Sequence, residues 1–404
     1  MLRAVALAVS LCAVFGLVLY VYYSADTVST QKPPAMSTQF EANHRALAKL
    51  TWIDFSFANP QIGWLVLGNR QNYPDDGRIL ATRDGGKTWY VQLALPVSNV
   101  QFVDDHNGWA YVFPQLNSRS SMVTPEEAHA ACQCLLVTHD GGQSWEELPP
   151  GPKNLQYFDF VDDQVGWAVT GTTAAAGFES SVFRTRDGAV SWQESKLPSE
   201  IASSPAALLS SKDESTAWLS FCAQSDCAQR ALAVTYDGGV TWKSLGSPCA
   251  SSGEALARFG QYFIGYFLSE SEWWLLCSVG DQQATELYRT ADGGGHWVLA
   301  AESNGSAGLP ALGPLLSRSD PAWGDIGFVD PNDGWIAVGG PSGGPFVTRD
   351  GGETWKDTRP FDVAANKASF LDDNLHGWAL TGDSLLSTDD GGASWKRIYP
   401  PQRR

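Results

Sequence analysis

The chain has 404 residues, of which 43% are hydrophobic and 18% charged, and its formal net charge is −17. The hydrophobic and aromatic content is too high for a disordered chain. Acids outnumber bases 44 to 27, which weighs against nucleic acid as a partner because phosphate binding needs a basic surface.

The first predicted element is an N-terminal apolar run over residues 4–23, interrupted only by Ser10. A helix of this length spans roughly 30 Å, the thickness of a bilayer core. Arg3 precedes it, and Tyr23 would sit at the −3 position of the candidate cleavage site before Asp26, where signal peptides carry a small residue. We therefore predict an uncleaved signal anchor over 1–23, in preference to a cleaved signal peptide, followed by a polar tether over 24–50. The positive flank predicts single-pass insertion in the cytoplasmic membrane, with the remaining chain on the extracytoplasmic side.

Internal repeats dominate the rest of the sequence. The octapeptide Thr-x-Asp-Gly-x-x-x-Trp, which we call the Asp box, recurs seven times at intervals of 40 to 58 residues. Its aspartates are Asp84, Asp140, Asp187, Asp237, Asp292, Asp350 and Asp390. The carboxylate can accept backbone N–H bonds within a turn, and glycine supplies positive φ, so we expect these aspartates to be structural. The third box has Ala189 in place of its second glycine and the fifth has His296 in place of Thr or Ser, so we expect these two turns to be the least regular.

A second signature precedes each Asp box: an aromatic residue followed six or seven positions later by Gly-Trp, as in Phe102 to Gly108-Trp109. The fourth and fifth copies are degenerate, with Ala217-Trp218 and Trp273-Trp274. Each repeat then divides into four short strands, A to D, with the Asp box between C and D. Such repeats predict an all-β, seven-bladed β-propeller of four-stranded blades over residues 51–400, with no strand borrowed to close the ring.

The paired signatures resemble those of several Asp-box (BNR-type) propeller families, namely sialidases, sortilin-type receptors, xyloglucan hydrolases and the photosystem II stability/assembly factors. The pairing of Phe-x-Asp-x-x-x-Gly-Trp with Thr-x-Asp-Gly-Gly-x-Thr-Trp is most similar to the last family, which has relatives in many non-photosynthetic bacteria. This resemblance covers residues 51–400. It implies a non-catalytic assembly partner of membrane proteins.

Loop lengths indicate where binding residues should lie. The A–B turns and Asp boxes are nearly constant in length and share one face of the disc, whereas the B–C and D–A loops on the other face vary, with a long B–C insert at 114–133. Binding residues usually occupy such variable loops. The candidates on this face and at the channel mouth, where strand A begins, are Asp54, Arg70, Asp76, Asn99, Arg119, Tyr157, Asp325 and Lys367.

Enzymatic chemistry has weaker support. A sialidase needs an arginine cluster, a tyrosine nucleophile and an acid, and Arg70 and Asp76 would be its candidates here, so a carbohydrate-binding or glycoside-hydrolysing propeller remains the alternative. No histidine pair has metal-ligand spacing, and we predict neither a metal nor a cofactor. Acidic A–B turns such as Asp104-Asp105 could hold calcium, but their recurrence favours turn formation.

Six cysteines lie beyond the apolar run. Cys222 and Cys227 flank the predicted B–C hairpin of the fourth blade, which would bring them within disulfide range. Cys249 with Cys277 is a second, weaker candidate pair. Cys132 and Cys134 are too close for an easy mutual bond and could stay reduced. Taken together, the sequence predicts a membrane-anchored, extracytoplasmic propeller that binds a protein partner without catalysis.

Overall fold

The computed structural model describes residues 51–68, 77–95, 97–112, 134–174, 177–222, 230–249, 263–279, 284–303, 305–309, 324–338, 344–358, 365–381 and 384–400. They all belong to one compact unit, Ala48–Arg404. Within these ranges the structure has no helix with the length and apolar character that a membrane crossing requires. The predicted anchor and tether, residues 1–50, lie outside the described residues.

Seven four-stranded antiparallel sheets account for the described strands, and each sheet is built from four strands consecutive in sequence. The first strands of neighbouring blades contact one another, so strand A is innermost and strand D outermost. The seven-bladed propeller is therefore confirmed, including a ring that closes without a borrowed strand. A short helix, α1 (Ser199–Ala202), joins the third blade to the fourth and buries Ile201.

The strands, four to a blade, are β1 (Thr51–Phe57), β2 (Gly63–Gly68), β3 (Gly77–Thr82), β4 (Tyr90–Leu93); β5 (Val97–Phe102), β6 (Gly108–Val112), β7 (Cys134–Thr138), β8 (Glu146–Glu147); β9 (Leu155–Phe160), β10 (Gly166–Ala174), β11 (Gly177–Thr185), β12 (Gln193–Ser195); β13 (Ala206–Ser211), β14 (Ala217–Cys222), β15 (Arg230–Thr235), β16 (Lys243–Leu245); β17 (Phe263–Phe267), β18 (Trp273–Val279), β19 (Ala284–Thr290), β20 (Val298–Glu302); β21 (Gly324–Phe328), β22 (Gly334–Val338), β23 (Pro345–Thr348), β24 (Lys356–Asp357); and β25 (Ala365–Phe370), β26 (Gly377–Thr381), β27 (Leu385–Thr388), β28 (Lys396–Tyr399).

The core lies between blades and is organised by the second signature. At five of the seven interfaces the tryptophan of Gly-Trp or its equivalent stacks on the strand A phenylalanine of the next blade. Trp64 stacks on Phe102 with ring centroids 3.4 Å apart, and Trp109 on Phe160 at 3.6 Å. These tryptophans are fully buried. Burying an aromatic ring contributes on the order of 2–3 kcal/mol, so the repeated stack is a main source of cohesion between blades.

The glycine of Gly-Trp is required by the phenylalanine of its own blade. A Cβ on Gly63 would lie 2.2 Å from the Phe57 ring, and a Cβ on Gly108 would lie 2.5 Å from Phe102. In the fourth blade the phenylalanine position is occupied by a serine, Ser211, which pairs with an alanine, Ala217, in place of glycine. In the fourth copy of the signature the two changes therefore compensate each other, because the smaller serine leaves room for the alanine methyl group.

The last blade meets the first through the same contacts that join the others. Trp378 stacks on Phe57 with 4.0 Å between ring centroids. Trp89 packs edge-on against Tyr399 and donates from Nε1 to the carbonyl of Ile398 at 3.2 Å. Aromatic packing thus closes the ring where many propellers use a shared strand.

The A–B turns and the Asp boxes lie together on one face. In every blade the amide of the first box glycine donates to a carbonyl of the A–B turn, as from Gly85 to Gln61 at 2.9 Å and from Gly391 to Leu375 at 2.9 Å. On the opposite face, the B–C hairpin of the third blade is the longest described, because β10 and β11 have nine residues each and pair through Ala174 and Gly177.

Each Asp box is held by one repeated set of hydrogen bonds. In the first box, Thr82 donates its hydroxyl to Asp84 Oδ1 at 2.9 Å, Thr88 donates its amide to Oδ1 at 2.9 Å and its hydroxyl to Oδ2 at 2.6 Å. The amide of Gly86 donates back to Thr82 at 2.8 Å. Burial acts to raise the pKa of Asp84, but the hydrogen bonds from Thr88 and Thr82 outweigh it and hold the pKa below its usual value.

The expectation of irregular third and fifth boxes is wrong. Ala189 adopts φ 77°, the left-handed conformation that glycine adopts in the other boxes. Its backbone amide still donates a hydrogen bond to the Thr185 hydroxyl at 2.9 Å. His296 donates its amide to Asp292 Oδ1 at 2.8 Å and places Nδ1 2.6 Å from Oδ2, where other boxes place a hydroxyl. An imidazole therefore replaces the threonine without changing the turn.

The cysteines depart in part from expectation. Cys249 and Cys277 form a disulfide with Cα atoms 5.5 Å apart. Cys222 and Cys134 are each disulfide-bonded, so the reduced state left open for Cys134 is wrong. Cys227 and Cys132 lie outside the described residues, and the Cys222–Cys227 pairing stays a prediction.

Candidate functional site

Five of the candidate residues occupy one register in the innermost strands. Asp54, Asn99, Tyr157, Asp325 and Lys367 each pair with the strand B residue three positions after the glycine of Gly-Trp or its equivalent. We call this set the channel ring.

A register shift lies at or next to the ring position in the first, second, third and seventh blades. β-Bulges of this kind re-aim side chains and are common beside functional sites.

Three of these residues come together where the ring closes. Lys367 of the seventh blade donates a hydrogen bond to Asp54 of the first, and Asp325 of the sixth interacts electrostatically with both. The side chain of Lys367 is 30% exposed and that of Asp54 12% exposed. The ammonium group also lies 5.2 Å from the centre of the Phe55 ring. The structure therefore converts three polar positions, far apart in sequence, into one carboxylate–ammonium–carboxylate group.

Burial and charge act in opposite directions on this group. Burial raises the pKa of Asp325 to about 6, although the Lys367 charge opposes the rise and Asp54 adds to it. Burial acts to lower the pKa of Lys367, but the two carboxylates outweigh it and raise that pKa. At neutral pH the lysine is therefore held charged between two carboxyl groups.

A second set of inner residues was missed by the sequence reading. Asp159 accepts from Gln101 of the previous blade at 3.0 Å and from the amide of Ser211 of the next at 2.6 Å, and burial raises its pKa. Burial, with Asp372, Asp325 and Asp159 nearby, raises the pKa of Tyr266 to about 12. Their place in the repeat could have identified them from the sequence. Gln101, Asp159 and Tyr266 each pair with the tryptophan of Gly-Trp or its equivalent, so all three occupy the same position of strand A.

The two other residues of the channel ring lie in the second and third blades. Tyr157 is 39% exposed, and Asn99 is partly buried. Arg70, Asp76 and Arg119 lie outside the described residues.

Three of the described arginines, Arg83, Arg184 and Arg349, are engaged in contacts between blades. Arg83 and Arg349 each donate to a glycine carbonyl of the next Asp box, at 3.3 Å and 3.2 Å. Arg184, which is 7% exposed, donates to the Glu214 carbonyl at 2.9 Å. Arginines committed to turns in this way are not available as a carboxylate-binding cluster.

One acidic group among the described residues has metal-ligand proximity. Asp104, Asp105 and His106 place potential ligand atoms within 4.8 Å of one another. Asp104 already accepts the amides of His106 and Asn107 at 2.7 Å and 2.6 Å. Those bonds are the ones that form an A–B turn.

The fold and the inner ring define a class: a seven-bladed β-propeller with an acidic, largely polar channel lining. In sequence the chain resembles the photosystem II stability/assembly factors. It is 25% identical over 372 residues to the photosystem II assembly lipoprotein Ycf48 of Synechococcus sp. (strain CC9902), covering 87% of this chain and 89% of the relative. It is also 25% identical over 358 residues to the chloroplastic photosystem II stability/assembly factor HCF136 of Oryza sativa subsp. japonica, covering 83% and 77%.

Structural neighbours show the same fold. YCF48 bound to a D1 peptide matches with a TM-score of 0.54 at 18% identity, over 85% of this chain and 94% of that one. The GH74 xyloglucanase of Xanthomonas campestris matches with a TM-score of 0.51 at 14% identity, over 88% of this chain and 61% of that one. The family model "Sortilin, neurotensin receptor 3" matches residues 133–252.

Proposed function

We propose that this protein is a non-catalytic assembly factor that binds a segment of a membrane protein. The observation that carries the proposal is the similarity to two photosystem II assembly factors along most of both chains. A fold neighbour, YCF48, binds a D1 peptide, which supports a peptide segment of a membrane protein as the kind of partner.

We assign partner capture to the face that carries the B–C and D–A loops. The other face is occupied by turns that hydrogen-bond to each other in every blade. The long hairpin of the third blade belongs to the loop face.

The proposed location is extracytoplasmic, with residues 1–23 as the membrane anchor. The apolar run behind Arg3 supports insertion. The Cys249–Cys277 disulfide supports an oxidising compartment, because disulfides rarely persist in the cytosol. A C-terminal fusion to a reporter active only outside the cytoplasm should be active, and activity of a cytoplasm-only reporter would contradict the topology.

The partner experiment compares two variants of the full-length protein. Cross-linking in native membranes, followed by mass spectrometry, should identify a membrane-protein segment bound by the unaltered chain. Deletion of residues 114–133 should reduce that capture, whereas Asp162→Ala, in an A–B turn of the opposite face, should not.

The carbohydrate alternative makes a different forecast. It requires turnover of a sialoside or xyloglucan by the unaltered protein, with loss in Arg70→Ala or Asp76→Ala. Reproducible turnover of that kind would overturn the assembly-factor proposal.

A further inference from the structure

The outer strand of the fifth blade, β20, is the longest outer strand among the described residues. β20 has five residues, Val-Leu-Ala-Ala-Glu, whereas β4 and β28 have four each and β8, β12, β16 and β24 have two or three with mainly polar sequences. Val298 is 68% exposed and Leu299 45% exposed. Short, charged edge strands prevent unwanted strand pairing, and β20 lacks both forms of protection.

A groove lies beside β20, between the fifth and sixth blades. It has a volume of about 720 Å³ and is lined by Val298, Leu299, Ala300 and Ala307 together with the sixth box. Ala291, at the second position of the fifth box, also lines it, whereas Arg83 and Arg349 at the same position of their boxes donate to a glycine carbonyl of the next box.

The groove combines aliphatic walls with an acidic rim. Glu302 and Glu353 line it and are exposed. Its one cation, Arg289, is neutralised by Glu272 at 3.1 Å. No aromatic side chain is among the lining residues of this described groove; sugars commonly stack on aromatic rings, so the lining favours a peptide.

We propose that the groove and the edge of β20 bind an extended segment of a partner protein that contains both aliphatic residues and lysine or arginine. The segment would add a strand to the sheet of the fifth blade, the mode known as β-augmentation. Because consecutive strand residues point to opposite faces of a sheet, one aliphatic side chain would cover Val298 and another, on the other face, would cover Leu299. Basic side chains would face Glu302 and Glu353. This surface lies on the outer rim, away from the loop face assigned above, so either proposal can fail without the other.

The test is a selection of displayed random short peptides on the immobilised full-length protein. Peptides that combine aliphatic and basic residues should be enriched, and the double variant Val298→Asp/Leu299→Asp should weaken their binding by about tenfold or more. Val240→Asp is the matched control, because Val240 is 67% exposed but lies in the fourth Asp box, away from the groove. It should bind the same peptides as the unaltered protein, and melting temperatures establish that both variants fold.

A charge reversal tests the acidic rim. Glu302→Lys with Glu353→Lys should shift the enriched set from basic to acidic peptides. The proposal is overturned if no enriched peptides depend on Val298 and Leu299, or if the dependent peptides are acidic on the unaltered protein. It is also overturned if the unaltered protein sediments as a dimer that V298D/L299D dissociates, because the surface would then bind a second copy.

Discussion

At the residue scale, an aspartate recurs in each Asp box because its carboxylate accepts several hydrogen bonds of the turn. Asp84 accepts three hydrogen bonds from Thr82 and Thr88, and an alanine would leave all three donors without this acceptor. We expect Asp84→Ala to lower the free energy of unfolding by about 1–3 kcal/mol, measured by urea denaturation. Asp84→Asn keeps one acceptor oxygen and should lose less. Asp389→Ala, which removes only an exposed pair with Lys396, is the control, and an equal loss in that variant would show that the box bonds are not responsible.

Asp325 gives a pH dependence whose sign follows from its environment. Burial raises its pKa to about 6, above the value of about 3.9 in an unfolded chain, so the folded state binds this proton more tightly. Its contribution to stability is therefore complete below pH of about 4 and is lost as the pH rises through about 6.

The test is the variant Asp325→Asn, which cannot ionise. As the pH rises from about 4 to about 7, the melting temperature of the variant should increase relative to that of the unaltered protein. The corresponding change in relative free energy of unfolding should be about 1–2 kcal/mol, a value reduced for solvent screening. Asp389→Asn, at an exposed site, should show no such trend. A constant difference across this range for Asp325→Asn would contradict the assignment.

At the scale of the element, strands A and B are fitted to each other through one residue pair. The Phe102 ring lies over Gly108 so closely that a Cβ there would be 2.5 Å away. Gly108→Ala should cost about 1–3 kcal/mol through overpacking, measured by the urea midpoint.

The fourth blade provides the control for that prediction. Ala217 occupies the equivalent position opposite Ser211, and Ala217→Gly should cost no more than about 1 kcal/mol. If Gly108→Ala proved as mild, the phenylalanine would not be the reason for the glycine.

At the scale of the whole molecule, ring closure depends on the same aromatic stack that joins other blades. Trp378, which contacts Phe57 across the closure, is 3% exposed, and Trp64, which contacts Phe102, is fully buried. Trp378→Ala and Trp64→Ala should each cost about 3–5 kcal/mol. Equal losses in urea denaturation would show that the closure is as strong as an internal interface, and a much smaller loss for Trp378→Ala would show that other contacts close the ring.

The sequence by itself determined the blade count, the four strands of each blade and the shared face of the two turns. These features are local and repeat, so each of seven copies carries the same information. The same local reasoning explains why the expectation of irregular third and fifth boxes was wrong. A substitution within the motif suggested a distorted turn, but the other hydrogen bonds of the box hold Ala189 at positive φ and allow the His296 imidazole to replace a hydroxyl.

Only the tertiary structure decided which polar residues meet. Asp54 and Lys367 are 313 positions apart, and their pairing with Asp325 exists because ring closure places the first, sixth and seventh blades in succession. The bridge from Gln101 through Asp159 to Ser211 and the groove beside Ala291 arise in the same way, from contacts between blades. A repeat pattern specifies what each blade is, whereas side chains that differ between blades acquire partners only when the ring is closed.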